Sequence, residues 1–224
     1  GTVNKIALFT TANSVGDSII TQTAGSIGIN TMVKNEILNI EGKIALNNNT
    51  NSVSIGKNTG GIGNQCVAIG SEALAASNAP SNVALGFRSL QSITTGGLNT
   101  SIGTESLQNN ITGAGNVSVG YRAMQTATGS NNVGVGKSCL VGIQGDNNTA
   151  IGTQATVNNN ADVNSISIGF NAQGEGSNTA KIGNNNVTAL YVGGNGAGVV
   201  LKSPNGTAYK ITVDNAGAII ATAI

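Results

Sequence analysis

The chain has 224 residues and a mass of 22.1 kDa, with 8% charged and 3% aromatic residues, no Trp and no His. A core built on aromatic anchors is excluded, and a formal net charge of +1 without basic clusters gives no reason to expect nucleic acid or an anionic membrane as partner. Hydrophobic residues make up 39%, too many for a disordered chain, yet the longest apolar stretch, around Ala218 to Ile224, is far too short to cross a bilayer.

Residues 1–46 read as a β-rich N-terminal attachment segment. Short strands are predicted over Ile6–Thr10, Ser18–Thr21, Ser26–Ile29 and Glu36–Ile40, split by Asn-Ser, Gly-Asp and Ala-Gly turns. Met32–Ile40 reads equally as one or two helical turns. No basic and then apolar leader opens the chain, and a start at Gly1 rather than Met suggests a fragment or a processed product.

From Asn51 to Gly183 the chain returns, every 14 to 17 residues, to one phrase: small-polar, Val/Thr, Ser/Ala, Ile/Val/Leu, Gly. A fixed short period means one unit stacked on copies of itself. Counting from each glycine as zero, positions −3 (Val53, Val67, Val83, Thr100) and −1 (Ile55, Ile69, Leu85, Ile102) are apolar and largely β-branched. That alternation predicts a short strand that buries these two columns on one face. Position +3 is small and position +4 long and apolar, so a second strand is expected after the glycine, with loops of Gly, Asn and Ser closing each coil. The expectation for residues 47–187 is an all-β parallel β-roll or β-solenoid shaft of about nine coils.

Stacking makes further predictions. Position −4 carries Asn82, Asn99, Asn116, Asn132 and Asn148, an expected amide ladder. Position +2 carries Glu72, Arg88, Glu105 and Arg122, so a spacing of about 4.8 Å between rungs places opposite charges one above another. Four buried aliphatics per coil barely offset the ordering of its backbone. Burial between three parallel copies is therefore expected, with the small +3 column or the −1/+1 face near the shared axis. Cys66 and Cys139 fall in different slots several coils apart, which predicts two isolated buried thiols rather than a bridge.

Residues 188–224 read as a β-hairpin tip. Strands are predicted over Val199–Ser203, Thr207–Val213 and Ala218–Ile224, separated by Pro204-Asn205-Gly206 and Asp214-Asn215-Ala216-Gly217 turns. An antiparallel cap of this kind is expected to shield the last coil's open edge.

The unit Asn-Val-Ser/Ala-Ile/Val-Gly, followed by two variable positions and Ala/Ser, resembles the head repeat of trimeric autotransporter adhesins over about 51–187, although these coils are longer than that family's. The resemblance implies a left-handed β-roll in a homotrimer. Lys5 to Thr10, Asn13 to Ile20 and Ser26 to Ile29 look like the opening of phage tail-fibre proteins that carry such repeats, and Leu201 to Thr207 and Tyr209 to Val213 like the end of phage fibre chains. Those flanks imply a virion tail fibre, with other tail-fibre or baseplate proteins and a bacterial surface polysaccharide or outer-membrane protein as partners. The alternatives are a bacterial trimeric adhesin head on the cell surface and a monomeric ice-binding or other structural solenoid, for which Thr100, Thr149 and Thr179 are too sparse.

Catalysis finds little support. Glu72 and Glu105, two coils apart, would stand about 9.6 Å from each other, near the upper limit for an inverting glycosidase. Arg88 lies between them, and a carboxylate beside a guanidinium stays ionised, the opposite of what a general acid needs. Phe87, Tyr121 and Phe170 at position +1 are candidate sugar platforms, with packing between chains or a solvent-facing spacer as the other reading. Without His, and with Asp146 and Asp162 isolated, no metal site or cofactor is expected, though an axial ion held by Asn, Thr or Ser stays open. The least regular loops, 75–81, 93–97, 111–115 and 157–163, together with the tip, give Asn78, Thr94, Asn110, Asn159 and Asn205 as expected receptor-facing residues.

Overall fold

The computed structural model describes residues 19–23, 26–30, 51–60, 64–190, 199–214 and 217–224. The chain divides into two compact units, Gly1–Ala45 and Leu46–Ile224. In the first, β1 (Ile19–Thr23) and β2 (Ser26–Asn30) form an antiparallel pair with Ile20 opposite Ile29. The other strands or helical turns expected before residue 46 lie outside the described residues.

The second unit is a parallel β-solenoid. Nine three-residue strands form one sheet in chain order: β3 (Val53–Ile55), β4 (Val67–Ile69), β5 (Val83–Leu85), β6 (Thr100–Ile102), β7 (Val117–Val119), β8 (Val133–Val135), β9 (Thr149–Ile151), β10 (Ile166–Ile168) and β11 (Ala180–Ile182). Like slots superimpose without a slip, Ile102 over Val119 and Val119 over Val135. The repeated glycine holds that register. Gly86 has φ of +136°, and a Cβ there would stand 2.6 Å from the carbonyl carbon and oxygen of Gly103 in the next coil. Both the dihedral and the space therefore require glycine.

Among the described residues the expected second strand is absent, and the segment forms only the isolated bridge of Thr156 with Gln173. Positions +2 and +4 both adopt left-handed backbone, as in Glu72 (φ 60°) and Leu74 (φ 50°), Glu105 (58°) and Leu107 (48°). The two kinks curl the segment into tight turns, while its N–H groups still bond alternately to the coil before and the coil after: Glu72 to the Lys57 carbonyl at 2.9 Å, Leu74 to that of Ser89 at 3.0 Å. Left-handed backbone costs a residue with a side chain about 1–2 kcal/mol. Full burial of Leu74, Leu90, Leu107, Met124 and Leu140 returns about 1.5–3 kcal/mol each, which offsets the cost at +4.

The direction of the strands also differs from expectation. On β4 to β10 the buried residue is the one at −2, such as Ala68, Ala84, Ser101, Ser118 and Ala150, whereas Ile55, Leu85, Ile102, Ile151, Ile168 and Ile182 at −1 face outward. A coil this narrow has room for small residues on the strand side and for the aliphatics of +4 and +7, among them Ile93 and Ile143. The larger β-branched residues are left outside.

A separate antiparallel sheet contains β12 (Val199–Lys202), β13 (Ala208–Val213) and β14 (Ile219–Ala223), with Leu201 opposite Tyr209 and Ile211 opposite Ala221. Turns closed by Ser203 N–H to the Thr207 carbonyl and Asp214 N–H to the Ala218 carbonyl join its strands. Among the described residues no pairing connects it to β11, the edge that the sequence predicts it to cap. Among the described residues there is no helix long and apolar enough to cross a membrane.

Candidate functional surfaces

The interior of the coils is wired by side-chain amides. Each Asn at −4 is fully buried. The Oδ1 atoms of Asn82, Asn99, Asn116, Asn132 and Asn148 accept the main-chain N–H of the same slot one coil on, at 2.8–2.9 Å. The Nδ2 atoms donate to loop carbonyls, for instance Asn116 to Gly129 and Asn132 to Gly145, each at 3.0 Å. The ladder is thus mainly amide to backbone; only Asn99 and Asn82 also bond amide to amide, at 3.1 Å. At the first described coil Ser52 takes the same slot and accepts from Cys66 N–H at 3.0 Å. Cys66 and Cys139 are free and buried.

The charged column resolves into two pairs rather than a continuous ladder. Arg88 donates to Glu72 at 2.8 Å and Arg122 to Glu105 at 2.6 Å. Beside it runs a glutamine column that the sequence reading passed over, at position +5: Gln91 donates to Glu72 at 2.6 Å, Gln108 to Gln91 at 3.0 Å and Gln125 to Gln108 at 2.9 Å. The Glu105 bond holds the Arg122 guanidinium above its ordinary pKa. Each arginine also lies over its neighbouring ring, Arg88 4.6 Å from the centroid of Phe87 and Arg122 4.9 Å from that of Tyr121. Phe87 and Tyr121 are thereby covered on one face and exposed elsewhere, and Phe170, 61% exposed, carries no such cover.

Of the loop residues expected to face a receptor, Asn78, Thr94, Asn159 and Asn205 are exposed. Asn110 is not: it is fully buried, its Nδ2 donating to the Gly113 carbonyl at 3.0 Å and its Oδ1 accepting the Gly113 N–H at 2.8 Å. Its slot, +7, reads Ser77, Ile93, Asn110, Ala127 and Ile143 in five successive coils, all buried, before Asn159 takes it in the next coil and is exposed. Aligning that column would have placed Asn110 inside. Asn205 closes the β12–β13 turn by accepting Thr207 N–H at 3.1 Å.

At the end of the sheet the repeat changes character. Gln173 stands at +4, where the coils from Leu74 to Leu140 carry Leu or Met and Thr156 comes one coil before it, and Lys181 stands at −2 where earlier strands carry Ser, Ala or Gly. Lys181 pairs with Glu175. These residues line an open cleft of about 490 Å³, together with Asn158, Asn171, Gly174 and Asn184 to Asn186. Beneath it, an added Cβ on Gly174 would stand 2.7 Å from Ser165 Oγ and 3.1 Å from Ser167 Oγ, and both hydroxyls are buried without a hydrogen-bond partner.

Compared with known protein families and with curated proteins, the chain matches no family model and no curated sequence.

Proposed function

We propose that this is a structural and host-attachment protein, the shaft and distal tip of a homotrimeric phage tail fibre that contacts the bacterial surface without catalysis. The observation that carries the reading is the outward column of aliphatics. Ile55, Leu85, Ile102, Ile151, Ile168 and Ile182 stand one above another on the sheet at 36–58% exposure. A continuous apolar stripe of this length is a contact surface, and a straight ladder is matched by another ladder of the same pitch. The occupants are two further copies of this chain, side by side and parallel. Val200, Leu201, Ile219 and Ile220 of the C-terminal sheet are likewise exposed, at 41–78%, and need the same cover.

Attachment follows from that assembly, because three copies of each loop and tip give repeated weak contacts whose avidity exceeds that of one. Partners are a polysaccharide or outer-membrane protein on the cell and tail-fibre or baseplate proteins on the virion. Glu72 and Glu105 support a non-catalytic reading, since each is held by an arginine and a glutamine. A flat threonine face for ice is not built, because position −3 of the nine strands holds Thr only at Thr100 and Thr149.

Light scattering tests the assembly: three chains of 22.1 kDa give about 66 kDa, and a mass near that of one chain overturns it. Adsorption of the purified protein to a panel of bacterial strains tests attachment, which falls if no strain retains it.

A further inference from the structure

The cleft beyond β10 and β11 holds a different kind of surface from the rest of the solenoid. We propose that it is a glycan subsite, which binds neutral, hydroxyl-rich sugar units of a bacterial surface polysaccharide. This rests on the attachment reading above and specifies its ligand.

The first argument is the contrast between two sets of amides. Those of the −4 column are buried and bonded within the chain. Around the cleft, the side chains of Asn158, Asn171, Gln173, Asn185 and Asn186 make no hydrogen bond to other described residues, and of this group Asn184 alone is engaged, donating to the Phe170 carbonyl at 2.8 Å and accepting Asn186 N–H at 2.9 Å. Shielding the end of a solenoid requires polar residues. It does not require five unengaged amides converging on one recess.

The second argument is chemical. A carboxamide offers an acceptor oxygen and two N–H donors, the complement of a hydroxyl, which donates once and accepts twice. A volume of about 490 Å³ lies within the range of about 300–1,000 Å³ typical of ligand sites. No aliphatic or aromatic side chain lines it, so an apolar ligand would strip water from the amides and give nothing back. Glu175 and Lys181 neutralise each other across the recess, so neither an anion nor a cation finds an uncompensated opposite charge. A neutral ligand with closely spaced hydroxyls satisfies all three conditions.

The third argument is positional. Gln173 occupies the slot that Leu74, Leu90, Leu107, Met124 and Leu140 fill with buried side chains, and Lys181 the slot that small residues, buried from Ala68 to Ser167, fill in the strands before it. Restoring the aliphatic by Gln173→Leu removes a cleft amide with a residue the slot already accepts elsewhere, so the variant isolates recognition from folding.

The experiment uses the full chain, fluorescently labelled, on an array of immobilised neutral hexose and N-acetylhexosamine oligosaccharides beside uronic-acid and sialic-acid counterparts. The parent is expected to bind members of the neutral set. Gln173→Leu and Asn185→Ala should each lower that signal at least tenfold with melting unchanged, and Thr126→Ala, at an exposed position three coils away, should leave it intact. Absence of neutral binding, binding confined to acidic glycans, or retention of signal in both cleft variants overturns the proposal. Cell adsorption separates the two readings. A parent that adsorbs, with cleft variants that adsorb equally, sinks the glycan subsite and leaves attachment standing; a parent that adsorbs to no strain sinks both.

Discussion

Asn99 Oδ1 accepts the main-chain N–H of Asn116 at 2.9 Å, one coil further along, and Asn116 Oδ1 accepts that of Asn132 at the same distance. Every link in this series is buried, so each amide satisfies backbone groups that no water reaches. Asn116→Ala leaves the N–H of Asn132 and the carbonyl of Gly129 without these partners, at about 1–3 kcal/mol each. Asn116→Asp is expected to be at least as harmful, because a carboxylate cannot donate to Gly129 and buries a charge. Urea unfolding measures both; a loss of only a few tenths for Asn116→Ala would show that the amide column does not hold the coils.

Gly134 is the single glycine in the −2 column of β3–β11. An added Cβ there would stand 2.9 Å from Met124 Sδ and 3.1 Å from Cys139 Sγ, sulfur-bearing residues in slots that the adjacent coils fill with Leu (Leu107, Leu140) and with Ala (Ala123, Ala155). Gly134→Ala should therefore cost about 1–3 kcal/mol by overpacking. In a Met124→Leu, Cys139→Ala background the same change should be close to neutral, and thermal melting of the cycle reads the coupling.

Burial pushes the Cys139 thiol up to about 11 from a reference of 9.0. The neutral form is favoured in the folded state, so this contribution to stability is complete below pH 9 and is lost as pH rises from 9 to 11. Unfolding midpoints should fall over that window, and the fall should vanish in Cys139→Ala. Native Cys139 should also resist alkylation at pH 8, with reaction following unfolding.

Ile102 faces outward, so Ile102→Glu leaves the coil interior untouched. On the trimer reading the variant keeps its β-rich circular dichroism while its mass in solution falls from about 66 kDa towards 22.1 kDa. An unchanged mass would place the contact between chains on another face.

Asn110 and Thr94 make a matched pair. Asn110→Ala should destabilise by about 1–3 kcal/mol, since it strands the buried Gly113 N–H, while the Gly113 carbonyl keeps its bond from Asn99 Nδ2. Thr94→Ala removes one exposed bond to the Ile111 carbonyl and should stay within about 0.5 kcal/mol. Comparable losses in chemical denaturation would contradict the inward placement of Asn110.

The register of the solenoid was legible because one residue type carries it: the glycine at zero is demanded by both dihedral and space, so its spacing marks the coils directly. The inside and outside of the strand were not. Apolar residues normally point inward, but a coil with small residues at −2 and +3 is too thin to take Val and Ile as well. The turns after the glycine were hidden for another reason, since Glu, Arg and Leu carry no signature of left-handed backbone and adopt it here under neighbouring hydrogen bonds and burial. The arginine pairs could be foreseen from the +2 column, whereas the cleft could not. It arises where slots that held core residues turn polar over the last coils, at Thr156, Gln173 and Lys181, a change that a search for the repeat discards as poor matching.

The glycine contacts also separate height from breadth. Steps of 14, 16 and 17 residues stack in one uninterrupted register, so surplus residues leave the axis sideways and do not lengthen it. Eight intervals of about 4.8 Å amount to roughly 38 Å, whatever the flanking segments contain. The solenoid thus works as a ruler, and an insertion at its flank would change what is displayed there without changing how far it reaches.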